Sequence, residues 1–142
     1  MYIIGLNIFH GDSSACILKD GVLIAAAEEE RFRRVKHWAG FPSKAISWCL
    51  QEANINLDNV EFISVNQDKK ANLFKKILFT TSKRPNIKML FQQFKNKRKR
   101  NSIADYLKKS FPESKFNGTI LEVEHHAAHL SSAFHVSPFE NA

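Results

Sequence analysis

Three histidines lie close together near the end of the chain, in the run Glu124-His125-His126-Ala127-Ala128-His129. His125 and His129 are four residues apart, so on a helix their imidazoles project from one face. That geometry suits two ligands of one metal ion. The alternative is a polar helix face that carries histidines by chance. Because zinc usually takes at least three protein ligands, the pair needs others from elsewhere in the protein.

A second candidate site is the loop Asn7-Ile8-Phe9-His10-Gly11-Asp12-Ser13-Ser14. Histidine is the side chain best suited to move a proton at neutral pH. Glycine lets the backbone approach a ligand, and the two serines offer hydroxyl and amide donors to an anion. The competing interpretation is an ordinary Asp-Ser turn beside a solvated histidine, and the loop alone does not decide between the two.

A third candidate is a charged cluster within residues 25–37, which contains the run Glu28-Glu29-Glu30-Arg31-Phe32-Arg33-Arg34. Arginine binds phosphate in a bidentate manner, which would make this cluster a phosphate-facing rim. The plainer interpretation is a solvated strand end with local ion pairs, each worth under ~1 kcal/mol. On chemistry alone, the plainer interpretation is favoured.

The elements that would position these residues follow from apolar patterning. Strands are predicted over residues 2–9, 15–18, 22–27, 60–65 and 119–123, with Asp20-Gly21 as a hairpin turn. Helices are predicted from Ser43, as the N-cap, and over residues 125–134. The order βββαβαβα predicts an α/β fold, the first half of an actin-like (ribonuclease H-like) ATPase domain.

The predicted topology also brings two of the candidate sites together. The strand over residues 119–123 leads into the histidine helix at a strand end, where ligands gather in open α/β sheets. The first strand would present His10 on the same rim. We therefore expect His125 and His129 to point to one spot beside the His10 loop.

The positive charge of the chain is concentrated in one segment. Residues 69–109 hold fourteen Lys or Arg and one acid, giving +13, and the remainder gives −6, for a net +7. The basic run at residues 95–100 could contact nucleic acid, an anionic substrate or a membrane surface. Aromatic residues at helical spacing favour instead an amphipathic helical insertion whose cations face solvent. No nucleic acid is therefore expected as a partner.

Length and composition indicate one globular domain of 142 residues. No secretory signal or membrane span is visible, since the longest uninterrupted apolar run is far below ~20 residues. Cys16 and Cys49 are predicted to be reduced core thiols of a cytoplasmic protein.

Taken in order, these stretches resemble the carbamoyltransferase family of nodulation and antibiotic biosynthesis. The resemblance is carried by Gly5-Leu6-Asn7, His10-Gly11-Asp12-Ser13-Ser14-Ala15, residues 27–37, Phe41-Pro42 with Ala45-Ile46, and Glu124-His125-His126 with His129. It covers residues 1–68 and 117–142 and says little about 69–116, a basic helical insertion. Four motifs in the right order are more specific than any one of them, and they favour the metal interpretation of His125 and His129.

The resemblance implies an ATP-dependent O-carbamoyltransferase. Such an enzyme transfers carbamoyl from carbamoyl phosphate, through a carbamoyl-adenylate, to a hydroxyl of a sugar, antibiotic or related metabolite. By position, His125 and His129 would bind a divalent metal, iron-like, with zinc or magnesium as alternatives. His10 would be the general base, with Asp12 beside it. The positions carried over as cofactor-binding are Ser13, Ser14 and His126.

The resemblance also implies protein that this sequence does not contain. Relatives continue into a second actin-like half and a C-terminal domain that binds carbamoyl phosphate. We therefore expect this chain to be an N-terminal piece of the enzyme. It should be inactive alone, and its partner should be the missing part of the same enzyme. The rival hypothesis is a non-catalytic binding module whose basic segment contacts an anionic partner. A metal assay separates the two, because such a module has no need of His125 and His129.

Overall fold

The computed structural model describes residues 1–67, 102–135 and 137–141. It contains a five-stranded sheet, and its strands are β1 (Tyr2–Asn7), β2 (Ser14–Lys19), β3 (Val22–Glu28), β4 (Phe62–Val65) and β5 (Thr119–Glu122). Their spatial order is β3-β2-β1-β4-β5. β1, β2 and β3 pair antiparallel, whereas β4 runs parallel to β1 and β5 runs parallel to β4. The predicted α/β class is confirmed.

The turn between β2 and β3 is the predicted hairpin. Asp20 and Gly21 both have positive φ, at 51° and 84°. A two-residue turn with two left-handed residues matches the twist of the strands that it joins, and Asp-Gly tolerates that backbone. The Asp20 carboxylate also accepts a hydrogen bond from the amino terminus at 2.7 Å, which fixes the start of β1 beside the turn.

The described α-helices are α1 (Glu29–Arg33), α2 (Ser43–Glu52), α3 (Ile103–Ser110) and α4 (His125–Phe134), and a short 3-10 helix, Leu57–Asn59, precedes β4. The bounds of α4 agree with the prediction. The assignment of Ser43 as N-cap was wrong, because Pro42 holds that position and Ser43 is the first helical residue. α1 was not predicted, since its five residues are mostly charged and show no apolar periodicity.

The core lies on one face of the sheet. Ile4, Ile17 and Ile63 from three adjacent strands are fully buried there, and α2 packs against β2 and β3. α3 adds two buried residues, Ile103 and Leu107. The alternation of strand side chains sends every second residue to the opposite face. That opposite face is therefore free to carry a site.

Most of the predicted basic insertion, including residues 69–101, lies outside the described residues, and α3 belongs to its described part. Within the described ranges, no helix combines the length and the hydropathy needed to cross a bilayer. Cys16 and Cys49 are both free thiols. Cys49 is a core residue as predicted, whereas Cys16 is only partly buried and belongs to the other face of the sheet.

Candidate functional site

An open cleft of about 1180 Å³ lies at the end of β1 and is bounded by β2, β3, α1 and α4. Gly5, Cys16 and Ala26 lie in one row across the three antiparallel strands and contribute small side chains to its wall. Its lining is partly polar and partly charged: Asn7, His10, Ser14, Glu28, Arg31, Asn66, His125, His129 and Ser132. The cleft thus joins the beginning of the chain to its last helix.

The Nε2 atoms of His125 and His129 are 3.2 Å apart, and their ring centroids are 4.5 Å apart. Two nitrogens bound at about 2.0–2.1 Å to one zinc ion, with an angle of roughly 90–110° between them, lie ~2.9–3.4 Å apart. The 3.2 Å separation of the two nitrogens is therefore compatible with one shared ion. The ring of His10 is 5.4 Å from that of His125, so the structure brings together the three histidines expected to meet.

A side-chain cap fixes the first turn of α4, the helix that carries this pair. Glu124 is the N-cap, and its carboxylate accepts hydrogen bonds from the backbone N–H of Ala127 and from His126 Nδ1, each at 2.8 Å. These bonds, first the one from His126, lower the pKa of Glu124. The His126 side chain is exposed and does not line the cleft. Its ring contacts that of His125 edge-on, with centroids 5.9 Å apart, so this predicted cofactor-binding residue lies beside the pair but outside the cleft lining.

Ser13 holds two loops together. It is fully buried, and its backbone N–H donates to Trp38 O at 3.0 Å. Its hydroxyl accepts from the N–H of Gly40 and lies within hydrogen-bonding distance of the carbonyl oxygens of Gly40 and His10. With these contacts made, Ser13 does not face the cleft as the cofactor-binding prediction requires, whereas Ser14 lines it.

Asp12 contacts a different histidine from the one expected. Its carboxylate lies 2.8 Å from His37 Nδ1, and both side chains are exposed. This hydrogen bond is the main cause of the raised pKa of His37. Glu30 also accepts a hydrogen bond from the backbone N–H of His37 at 3.0 Å. Asp12 therefore links the His10 loop to the segment after α1, and its predicted catalytic role stays a prediction.

Glu29 is the residue that the sequence did not reveal. Its side chain is fully buried, and its carboxylate accepts hydrogen bonds from Arg33 Nε at 2.6 Å and from the backbone N–H of Ala45 at 2.8 Å. Glu29 thus caps the start of α2 from another element, where a negative charge is favourable. The interpretation of this cluster as solvated was wrong for Glu29. Arg31 remains exposed beside Glu28 in the cleft wall.

Neither cysteine is suited to nucleophilic chemistry at neutral pH. Burial raises the pKa of Cys16 and that of Cys49 to about 11, and the thiolate is the reactive form. Cys16 instead contributes shape, since a Cβ at position 5 would lie 2.7 Å from its sulfur. The pairing of Gly5 with Cys16 keeps this part of the cleft wall flat.

Comparison with known proteins gives the family. A profile of the family described as "Carbamoyltransferase N-terminus" matches residues 2–142. The chain belongs to this family. An uncharacterised protein of Synechocystis sp., sll1178, is 36% identical over 99% of this chain and 24% of its own length. The nodulation protein NolNO of Sinorhizobium fredii is 28% identical over 96% of this chain and 19% of its own length. The chain spans about a quarter or less of these relatives.

Proposed function

We propose that this member of the carbamoyltransferase N-terminus family supplies part of an ATP-dependent O-carbamoyltransferase. The single observation that carries the proposal is the meeting of His10, His125 and His129 at one open cleft. A proton acceptor near the acceptor hydroxyl would promote its attack, and a metal ion held by the pair would stabilise the charge of the nucleotide phosphates. The substrate class is a hydroxyl-bearing small molecule.

The sheet order supports an actin-like assignment. Three antiparallel strands followed by two parallel ones are the arrangement expected for one half of such an ATPase domain. In open α/β sheets, ligands bind beyond the carboxyl ends of parallel strands. β1 ends beside the cleft, and Asn66, directly after β4, also lines it.

The proposed reaction has three steps. Water first hydrolyses carbamoyl phosphate to carbamate and inorganic phosphate. A carbamate oxygen then attacks the α-phosphorus of ATP and the bond from that phosphorus to pyrophosphate breaks, which gives carbamoyl-adenylate and pyrophosphate. The substrate hydroxyl oxygen next bonds to the carbamoyl carbon while the bond from that carbon to the adenylate oxygen breaks. AMP leaves, and the hydroxyl proton passes to His10.

His125 and His129 would hold the divalent ion through their Nε2 atoms. The ion, when bound, supplies positive charge that stabilises the nucleotide phosphates. Arg31, exposed at the same cleft, would add a further positive charge for an anion. Ser14 lines the wall as a hydroxyl donor. His10 accepts the proton of the acceptor hydroxyl.

Metal titration tests the histidine pair in the intact protein that carries this chain. Iron(II) under anaerobic conditions, and zinc separately, are titrated by calorimetry into the wild type and into His125→Ala and His129→Ala. We expect each substitution to weaken binding by at least tenfold, since each removes a ligand. His135→Ala, which removes an imidazole from the end of the same helix, should leave affinity unchanged. Equal affinity in all four proteins contradicts the metal assignment.

Turnover tests the reaction itself. With ATP and carbamoyl phosphate, the intact protein should release pyrophosphate only when both are present. His10→Gln should abolish transfer to a hydroxyl acceptor while leaving pyrophosphate release intact, because the base acts after the adenylate forms. The 142-residue chain alone should show no complete reaction. Pyrophosphate release that is independent of carbamoyl phosphate would exclude the proposed activity and leave the binding module as the better hypothesis.

A further inference from the structure

We propose that Asn7 and Asn66 form an amide lock that positions the His10 loop, defined here as residues 9–13. Asn7 is the last residue of β1, and Asn66 directly follows β4, the parallel neighbour. Both side chains line the cleft. The importance of His10 rests on the proposed function, but the lock itself is a property of these two side chains.

Two hydrogen bonds in series make the lock. Asn66 Nδ2 donates to Asn7 Oδ1 at 2.9 Å. Asn7 Nδ2 donates in turn to the carbonyl oxygen of Asp12 at 3.0 Å. The far end of the His10 loop is thus tied through one side chain to the end of β1 and through a second to the end of β4.

The Asp12 carbonyl determines which way the NH₂ group and the oxygen of both side-chain amides point. A carbonyl oxygen can only accept, so Asn7 must present its NH₂ group to Asp12. Asn7 therefore presents its oxygen to Asn66, which must present its own NH₂ group. This leaves Asn66 Oδ1 pointing elsewhere, and that atom is buried without a hydrogen-bond partner among the described residues.

The unpaired oxygen of Asn66 favours a positioning role over a purely structural one. Buried polar atoms without a partner are few in native proteins, and Asn66 Oδ1 has none among the described residues. The Nδ2 group of the same side chain holds Asn7 in place. The amide at position 66 thus serves to place what Asn7 holds, the Asp12 end of the His10 loop.

The His10 loop needs such an anchor because its backbone is strained. Phe9 and Asp12 have φ values of 59° and 63°, in the left-handed region. Residues other than glycine stay there only where surrounding contacts over-determine the conformation. At the near end, the backbone N–H of Phe9 donates to Gly40 O at 3.2 Å. At the far end, the amide lock fulfils the same role, with His10 between the two anchors.

Hydrogen–deuterium exchange, read by mass spectrometry in the intact protein, tests the lock. Asn7→Asp keeps the oxygen that accepts from Asn66 and replaces only the donor to Asp12. Asn66→Ala removes the second bond and also the unpaired oxygen. In both variants we expect amide exchange in residues 9–13 to rise about tenfold, which corresponds to ~1.4 kcal/mol of local opening. Peptides from β2 and α2 should keep their wild-type exchange.

Asn117→Asp is the matched control, because it makes the same chemical change at an exposed residue shortly before β5 and should leave loop exchange unchanged. The second readout is catalytic: both lock variants should lose hydroxyl transfer at least tenfold in kcat with pyrophosphate release retained. Unchanged exchange in residues 9–13 overturns the lock. Increased exchange across the whole sheet, with a large fall in Tm, overturns the positioning role in favour of a structural one.

Three further outcomes remain distinguishable. If Asn7→Asp does not fold, Asn66→Ala decides alone, since it leaves Asn7 in place and frees only its oxygen. If the lock variants loosen the loop but His10→Gln leaves hydroxyl transfer intact, the lock stands and the proposed role of His10 fails. If exchange is normal and His10→Gln abolishes transfer, the role of His10 stands and the lock fails.

Discussion

At the scale of single residues, the buried carboxylate on α1 gives a prediction about stability. Glu29 is buried and joins α1 to the start of α2 through Arg33 and the backbone N–H of Ala45. Replacing it by alanine leaves the partly buried Arg33 guanidinium without its carboxylate partner and removes the side-chain cap of α2. We predict that Glu29→Ala lowers the free energy of unfolding by about 2–4 kcal/mol, measured by urea denaturation.

The control for that substitution is the preceding residue. Glu28 contacts Arg31 at 3.5 Å on the surface, with 44% of its own side chain exposed. Exposed pairs of this kind contribute about 0–1 kcal/mol. Glu28→Ala should therefore cost under ~1 kcal/mol. Equal losses in the two variants would mean that the burial of Glu29 has no energetic consequence.

The contact of Asp12 with His37 gives a prediction in pH. The hydrogen bond to Asp12 raises the pKa of His37 above its usual value of 6.5. Since the folded-state pKa is the higher one, the contact stabilises fully below pH ~6.5, and this contribution is lost as pH rises through the folded-state pKa. NMR titration of the His37 ring should show the raised value, and Asp12→Asn should return it towards 6.5. A titration unaffected by Asp12→Asn would contradict the contact.

At the scale of elements, close backbone approach constrains the start of β5. A Cβ at Gly118 would lie 2.5 Å from Glu61 O and 2.7 Å from Val60 O. Both are backbone atoms, which cannot move away without disturbing the pairing of β4 with β5. We predict that Gly118→Ala destabilises the protein by about 1–3 kcal/mol in thermal or urea unfolding. Gly11→Ala is the matched control, since a Cβ there meets nothing within 4 Å, and its cost should stay within ~0.5 kcal/mol.

Elements with a strong local signal were predictable, and those held by distant contacts were not. The Asp20-Gly21 turn and α4 were correctly predicted because turn chemistry and helical composition are local properties. α1 was missed because its stability depends on the burial of Glu29 against α2, which no local pattern records. Ser43 was misassigned as N-cap for the same reason: the cap of α2 comes from Glu29.

At the scale of the whole molecule, the candidate site joins residues far apart in sequence. The sheet order places β4 and β5 in succession beside β1, so α4 returns to the loop after β1. The general rule for ligands at strand ends predicted that His10, His125 and His129 would meet. It could not predict the partners of Asp12 and Ser13, because these depend on where the segment after α1 folds back.

The same scale gives a prediction about the 142-residue chain in solution. Leu130 and Phe139 are 73% and 71% exposed, and α4 has no buried residue, so apolar surface near the end of the chain faces water. Exposed apolar patches favour association. We predict concentration-dependent self-association of the isolated chain in sedimentation velocity, reduced by Leu130→Glu.

Val35→Glu is the control for net charge. It adds the same charge at another exposed apolar residue, 50% exposed and far along the chain from α4, and should leave association unchanged. If the unsubstituted chain stays monomeric at high concentration, these exposed side chains do not drive self-association. If the two substitutions reduced self-association equally, the reduction would come from the added negative charge. Only a larger effect of Leu130→Glu would show that association depends on a contact through α4.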